Sequence, residues 1–162
     1  MRERAGPVPD GLEALAFLLG TWRGRGDGHF PTMDPTTFEE EIRFWHVGAP
    51  LLFYVQWAWE EADGEPLHME TGIWRPVGEG RLAVSVALPR VAEVSEGTVD
   101  GNSIHLQSTS ITRAQGGAPL TRTQRSYDLV DGRLVYDVSM ATEEVELTHH
   151  IHASLERAVS PA

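Results

Sequence analysis

Seven histidines stand in a chain of 162 residues that has no cysteine: His29, His46, His68, His105, His149, His150 and His152. Imidazole and carboxylate groups are therefore the strong metal ligands available, and thiol catalysis, zinc fingers, iron–sulfur clusters and disulfide frameworks are excluded. His149, His150 and His152 fall within four residues near the C-terminus. On a strand, alternate side chains share a face, so His150 and His152 project to one side and His149 to the other. Strict alternation groups His149 with Val145, Leu147, Ile151, Ala153 and Leu155 and nominates it for the apolar side. Three readings are open: strand histidines satisfied by neighbours or water, a His-x-His zinc site helped by Glu70, Glu144 or Glu146, or one axial ligand to a haem. A haem needs a single imidazole and a flat apolar cavity, whereas no His-Glu-x-x-His spacing supports zinc.

Other chemistries find less. There is no Gly-x-Ser-x-Gly elbow, and Glu39-Glu40-Glu41 reads as a solvated face rather than an acid/base pair. Gly20-Thr21-Trp22-Arg23-Gly24-Arg25-Gly26 resembles a phosphate loop only superficially, because it lacks the Lys-Ser/Thr ending; alternating glycines suit close strand approach or barrel closure instead. The 24 acidic residues against 13 basic ones give a net charge of -11 with no Lys/Arg cluster, which argues against nucleic acid and anionic lipid as partners. Met1 to Pro7 holds no apolar signal region, and no stretch approaches the roughly 20 apolar residues of a membrane span. The expected location is the cytoplasm.

The elements that must position these groups follow from periodicity. Residues 1–9, with two prolines and alternating charges, read as a flexible lead-in, 10–158 as one domain, and 159–162 as a tail. Asp10 and Glu13 resemble a capping box, and Leu12, Leu15, Ala16 and Leu19 predict a short amphipathic helix over 12–19, stopped by Gly20. Thereafter the period is two, with strands expected near 21–28, 37–46, 51–60, 67–75, 81–88, 91–99, 103–111, 121–130, 133–141 and 144–157. Asp63-Gly64, Asp100-Gly101 and Asp131-Gly132 supply turns, the last a type I′ hairpin signal. About ten short antiparallel strands with one small helix predict an all-β, up-and-down barrel, with a β-sandwich as the alternative. In the third strand, Leu51, Phe53, Val55, Trp57 and Trp59 form one large apolar face, while the other mixes Leu52 and Tyr54 with Gln56 and Glu60. That tally suits a packed core or a pocket for a flat apolar ligand.

The glycine run, followed by Phe30-Pro31-Thr32, resembles the Gly-x-Trp-x-Gly-x-Gly and aromatic-Pro-Thr segments of the nitrobindins. Further similarities occur in family order: Phe38-Glu39-Glu40-Glu41 with Phe44-Trp45-His46-Val47-Gly48, Leu67-His68-Met69-Glu70-Thr71-Gly72 with Arg75, and Ser139-Met140-Ala141 followed by His149-His150-Ile151. Together they cover about residues 12 to 157. The resemblance implies a ten-stranded antiparallel barrel, akin to fatty-acid-binding proteins, that holds one haem b near an open end. It implies His150, ahead of Ile151, as the iron ligand. This conflicts with the alternation argument for His149 unless a bulge exchanges the strand faces. It further places Thr32 beside the haem and His46, His68 and Met140 around the pocket. Arg125 matches a basic position that pairs with a propionate or faces water, and Arg90 has the same two readings. The chain departs from the family at Pro89-Arg90, where many members have Thr-Gly or Ser-Gly. The implied activity is that of a ferric haem protein that converts peroxynitrite to nitrate and binds nitric oxide, and the resemblance also implies a homodimer. The competing readings are a barrel that takes a fatty acid or other apolar ligand, and a haem carrier without catalysis.

Overall fold

Alternation from Gly20 onward builds ten strands: β1 (Gly20–Phe30), β2 (Met33–Trp45), β3 (Leu52–Glu60), β4 (Pro66–Gly78), β5 (Arg81–Leu88), β6 (Val91–Asp100), β7 (Ser103–Arg113), β8 (Leu120–Val130), β9 (Arg133–Thr142) and β10 (Thr148–Arg157). The computed structural model describes residues 6–158; of the expected lead-in over 1–9 the first five residues, and the whole tail over 159–162, lie outside the described residues. Each strand pairs antiparallel with its sequence neighbours, and β1 meets β10 from Trp22↔Arg157 to Gly28↔Ile151. The sheet thus closes into the expected barrel, which leaves no edge strand unpaired. Asp131 and Gly132 both have positive φ, 50° and 78°, as a type I′ turn requires. The β9–β10 connection is longer than expected, because the Thr142 hydroxyl accepts from the Glu144 and Val145 amides and holds a turn there.

Closure depends on the small residues of β1. A Cβ on Gly26 would lie 2.4 Å from the Phe38 ring and 2.7 Å from the His152 carbonyl, and one on Gly24 only 2.3 Å from the Ser154 carbonyl. The glycines therefore admit Phe38 and the backbone of β10.

The first element is a 3-10 helix, Glu13–Leu18, and Asp10 does not cap it; Leu12 occupies the N-cap without a side-chain bond. The three-residue period eclipses Leu12, Leu15 and Leu18, all 0% exposed, over one end of the barrel. That is a tighter stripe than an α-helix would present, and Val8 also packs against this core. The Trp22 indole donates to the Leu18 carbonyl at 2.7 Å, while Arg157 lies 4.2 Å over the Trp22 ring and donates to the Phe17 and Leu19 carbonyls. Among the described residues no helix is long and apolar enough to cross a membrane.

Inner-face residues near this closed end, among them Trp22, Phe44, Leu52, Trp74, Leu82 and Leu134, are fully buried. Toward the other end His68, Leu88, Val138, Met140, Thr148 and His150 are only half-buried, so that end is open. Six strand pairings carry a register irregularity, and five of these lie in the open half, at Gly28/Phe30, His149/Ile151, Ala58/Trp59, Val94/Ser95 and Leu120/Arg122. Bulges at a barrel rim widen the mouth and re-aim side chains.

On β3 the buried inner face is Leu52, Tyr54, Gln56 and Ala58, so the large apolar face of Phe53, Val55, Trp57 and Trp59 points outward. The outer rings cover one another and neighbouring charges: Trp45 stacks on Phe53 at 5.6 Å, Arg43 lies over Trp45, and the Trp59 indole donates to Glu39. The inner face is polar because it joins a hydrogen-bonded layer between the apolar end and the open end. Within that layer Glu40 Oε2 accepts from Gln56 at 2.6 Å and from the Tyr136 hydroxyl at 2.8 Å, while Oε1 has no partner among the described residues.

Burial pushes the Glu40 carboxyl up to about 7. A carboxyl that holds its proton more tightly folded than unfolded destabilises the fold as pH rises from its ordinary range through 7, by roughly 3 kcal/mol when complete. Glu40→Gln should therefore have little effect on urea stability at pH 5 and gain on the wild type up to pH 8. A difference that does not vary with pH would show that Glu40 is ionised throughout.

Candidate functional site

The site begins with one extra residue on β10. His149 pairs with Ser139 and Ile151 with Val138, so His150 is left between them as a bulge and the faces exchange there. Below the bulge Ile151, Ala153 and Leu155 face inward; above it Thr148 and His150 do, and His149 turns out. His149 Nε2 and His152 Nδ1 both meet Asp137 Oδ1 at 2.9 Å on the outer surface. Burial alone would raise the Asp137 carboxyl, but these two hydrogen bonds outweigh it and hold it below its ordinary value. The nomination of His149 by strict alternation is thus overturned, since alternation ends at the bulge.

His150 is half-buried, and its Nδ1 lies 3.1 Å from the His29 carbonyl. A carbonyl only accepts, so Nδ1 carries the hydrogen and Nε2 keeps its lone pair. Burial holds the imidazole below its ordinary pKa, partly offset by that backbone bond, and so keeps it neutral. The Phe30 ring packs edge-on at 5.5 Å and fixes the ring plane. One oriented, neutral nitrogen beside the half-open inner surface of Val138, Met140 and Thr148 is what a haem asks of a protein, and the residues fit that group. Among the described residues no group of three or more His, Cys, Asp or Glu side chains is placed to hold a metal ion between them.

The other expected residues divide. Met140 is on the inner face, opposite Thr148 and Thr123, and Thr32 is exposed at the tip of the β1–β2 turn on the same rim. His68 faces inward on β4, in register with the buried Glu70, while an apolar groove of about 490 Å³ at the adjoining outer rim is lined by Trp57, Trp59, Leu67, Met69 and Pro89. His46 is not at this end. It follows β2, which runs away from the mouth, and is buried in the β2–β3 connection, where its Nδ1 accepts from the Gly48 amide at 3.2 Å. Arg90 is exposed on the rim, with Nη1 on the Gly116 carbonyl at 3.3 Å.

Arg125 is corrected as well: it neither faces water nor extends to the rim. It is 9% exposed, and it donates to Glu70 through Nη1 at 2.6 Å and Nη2 at 3.2 Å and to Glu93 at 3.4 Å. Glu70 also receives the Tyr54 hydroxyl and His68 Nε2, the latter at 3.2 Å. Burial alone would raise the Glu70 carboxyl, but Arg125 and His68 hold it well below the usual carboxylate range. The same two carboxylates raise Arg125 despite its burial. Sequence reasoning missed Tyr54 and Glu93 in this floor. The available signal was a charge in an inward register, since Glu93 shares the inner face with Val91 and Ser95.

The family model for the THAP4-like, heme-binding beta-barrel domain matches residues 11–157. A protein of Arabidopsis thaliana named peroxynitrite isomerase Rv2717c is 39% identical over 154 residues, covering 93% of this chain and 91% of that protein. Peroxynitrite isomerase 2 of Mycobacterium marinum is also 39% identical, covering 92% and 95%. The crystal structure of Rv2717c from M. tuberculosis superposes with a TM-score of 0.87 at 37% identity, covering 94% of this chain and 100% of that one.

Removing the guanidinium should be severe, because it leaves two carboxylates buried without a cation. Arg125→Met is expected to lose about 3–5 kcal/mol of urea stability at pH 7, with the loss shrinking as pH falls and the carboxylates protonate. A loss below about 1 kcal/mol would mean that the ion pair contributes no more than a surface one.

Proposed function

The chain belongs to the family of THAP4-like, haem-binding β-barrel domains, the nitrobindins, and on that premise we propose that it binds one haem b through His150 and isomerises peroxynitrite to nitrate. The observation that carries this reading is the inward, neutral His150 with its Nδ1 hydrogen fixed by the His29 carbonyl. When bound, the haem supplies a Lewis-acidic iron at which a small anion or a diatomic is held. The chain does the rest. The carbonyl of His29 orients the ligand ring and makes Nε2 more basic, and Phe30 prevents its rotation. Val138, Met140 and Ile151 give the inner surface an apolar wall, and Thr32 marks the rim through which small molecules pass. A rearrangement within one small anion needs neither a nucleophilic side chain nor a second substrate, which suits a pocket without a triad. The reading extends to ferric haem as the resting form and to nitric oxide as a ligand of the ferrous form.

Hemin titration of the apoprotein is the test. The wild type and His149→Ala should give a Soret band that saturates at one haem per chain, and His150→Ala should give the broad spectrum of free hemin. The saturated wild type should then speed peroxynitrite decay in stopped flow above free hemin. Equal spectra for wild type and His150→Ala would remove the ligand assignment and favour a barrel for apolar ligands.

A further inference from the structure

Two histidines face the open half of the barrel, and their partners fix them in opposite ways. His150 gives its Nδ1 hydrogen to a carbonyl and keeps Nε2 bare. His68 meets Glu70 through Nε2 at 3.2 Å. Glu70 is buried and ionised, and a carboxylate only accepts, so His68 always carries hydrogen on Nε2. The carboxylate itself cannot turn. Oε1 takes the Tyr54 hydroxyl and Arg125 Nη1, and Oε2 takes Arg125 Nη2 and His68, so four donors fill its acceptor sites. Among the described residues His68 Nδ1 has no hydrogen-bond partner, and the side chain, inward on β4 above Glu70, is 39% exposed. A buried ion pair has thus been assembled behind a histidine whose free nitrogen is accessible in the open half of the barrel.

We propose that His68 is the acid–base residue of the barrel's open end and that Glu70 is the residue that positions it. The inference rests on the peroxynitrite reading above. Peroxynitrous acid, HOONO, gives its proton to Nδ1, leaving ONOO⁻ and an imidazolium. The anion rearranges to NO₃⁻ with the same atoms and charge while Nδ1–H donates to one of its oxygens, and the imidazolium returns the proton to water as nitrate leaves. No electron enters or leaves. The charges that face His68 are Glu70 on its own strand, Arg125 on β8 and Glu93 on β6 behind it, with the Tyr54 hydroxyl from β3. The neutral His150 and the outward His149 on β10 and His29 on β1 complete the set.

Two measurements test this. In ¹⁵N-labelled apoprotein, long-range ¹H–¹⁵N correlations should show His68 protonated at Nε2. Glu70→Gln should reverse that to Nδ1–H, because Arg125 and Tyr54 claim the amide oxygen and the NH₂ then faces His68. With the Soret band saturated, stopped-flow decay from pH 6 to 8 should fall roughly tenfold or more in His68→Gln at the acid end, where HOONO predominates, and less at the alkaline end. An Nδ1–H tautomer in the wild type, or an unchanged rate and pH profile in His68→Gln, would overturn the proposal while leaving the function intact. No acceleration by haem-saturated wild type would remove both. If Glu70→Gln does not fold, the wild-type tautomer and the His68→Gln profile still decide.

Discussion

The open half of this barrel is organised by the ion pair between Glu70 on β4 and Arg125 on β8, strands that are not neighbours in the sheet. Bringing both charges out of water costs several kcal/mol each, and the pair is tenable only because its remaining bonds are filled. Tyr54 and His68 complete Glu70, and Glu93, itself receiving the Ser95 hydroxyl at 2.6 Å, accepts the second arm of Arg125. The consequence for shape is direct. An apolar core grows until its surfaces meet, but a satisfied polar layer cannot be displaced by hydrophobic side chains without stranding charge. The apolar packing that starts at Leu12, Leu15 and Leu18 therefore stops at this layer, and the space beyond it stays open for a ligand.

The second constraint is the bulge at His150. Without it, the alternation set by Ala153 and Leu155 would send His150 outward beside His152 and place His149 inside. The bulge sits where β10 leaves the tightly paired part of the sheet and enters the rim, among four other irregularities that widen the mouth. One inserted residue thus aims the ligand, while Asp137 secures the two histidines left outside.

Most of the architecture was legible because a strand period of two is a local property, and all ten strands follow it. What escaped depends on which way a strand faces. On β3 hydrophobicity alone chose the face of Phe53, Trp57 and Trp59, yet the interior there is the polar layer, and Tyr54 and Gln56 enter it because their partners come from β2, β4 and β9. His46 was misplaced for a topological reason: motif order along the chain does not say at which end of an up-and-down barrel a residue lies, and β2 carries it to the closed end. The helix was read with a period of 3.6, whereas Leu12, Leu15 and Leu18 keep a period of three over six residues. Of the candidate site, the family motifs pointed to His68, Met140 and His150, and all three face inward at the open end. The floor that supports them was not legible, because the contact between Glu70 and Arg125 spans 55 residues.

The donors of the polar layer are divided unevenly between its carboxyls. Tyr54 has one phenolic hydrogen, but both Glu70 Oε1, at 2.5 Å, and the Gln56 side-chain oxygen lie against its hydroxyl. One hydrogen does not serve two acceptors at such range, and the ionised Glu70 has the stronger claim. Glu40 receives only the Gln56 NH₂ at 2.6 Å and the Tyr136 hydroxyl at 2.8 Å, both on Oε2, and burial pushes its carboxyl up to about 7. Glu70 is as deeply buried but takes four donors, two of them from a guanidinium, and is held well below the usual carboxylate range. Two carboxyls of one buried layer are thus set apart by the donors each receives: the filled one is ionised and anchors Arg125, and the other keeps its proton close to neutrality.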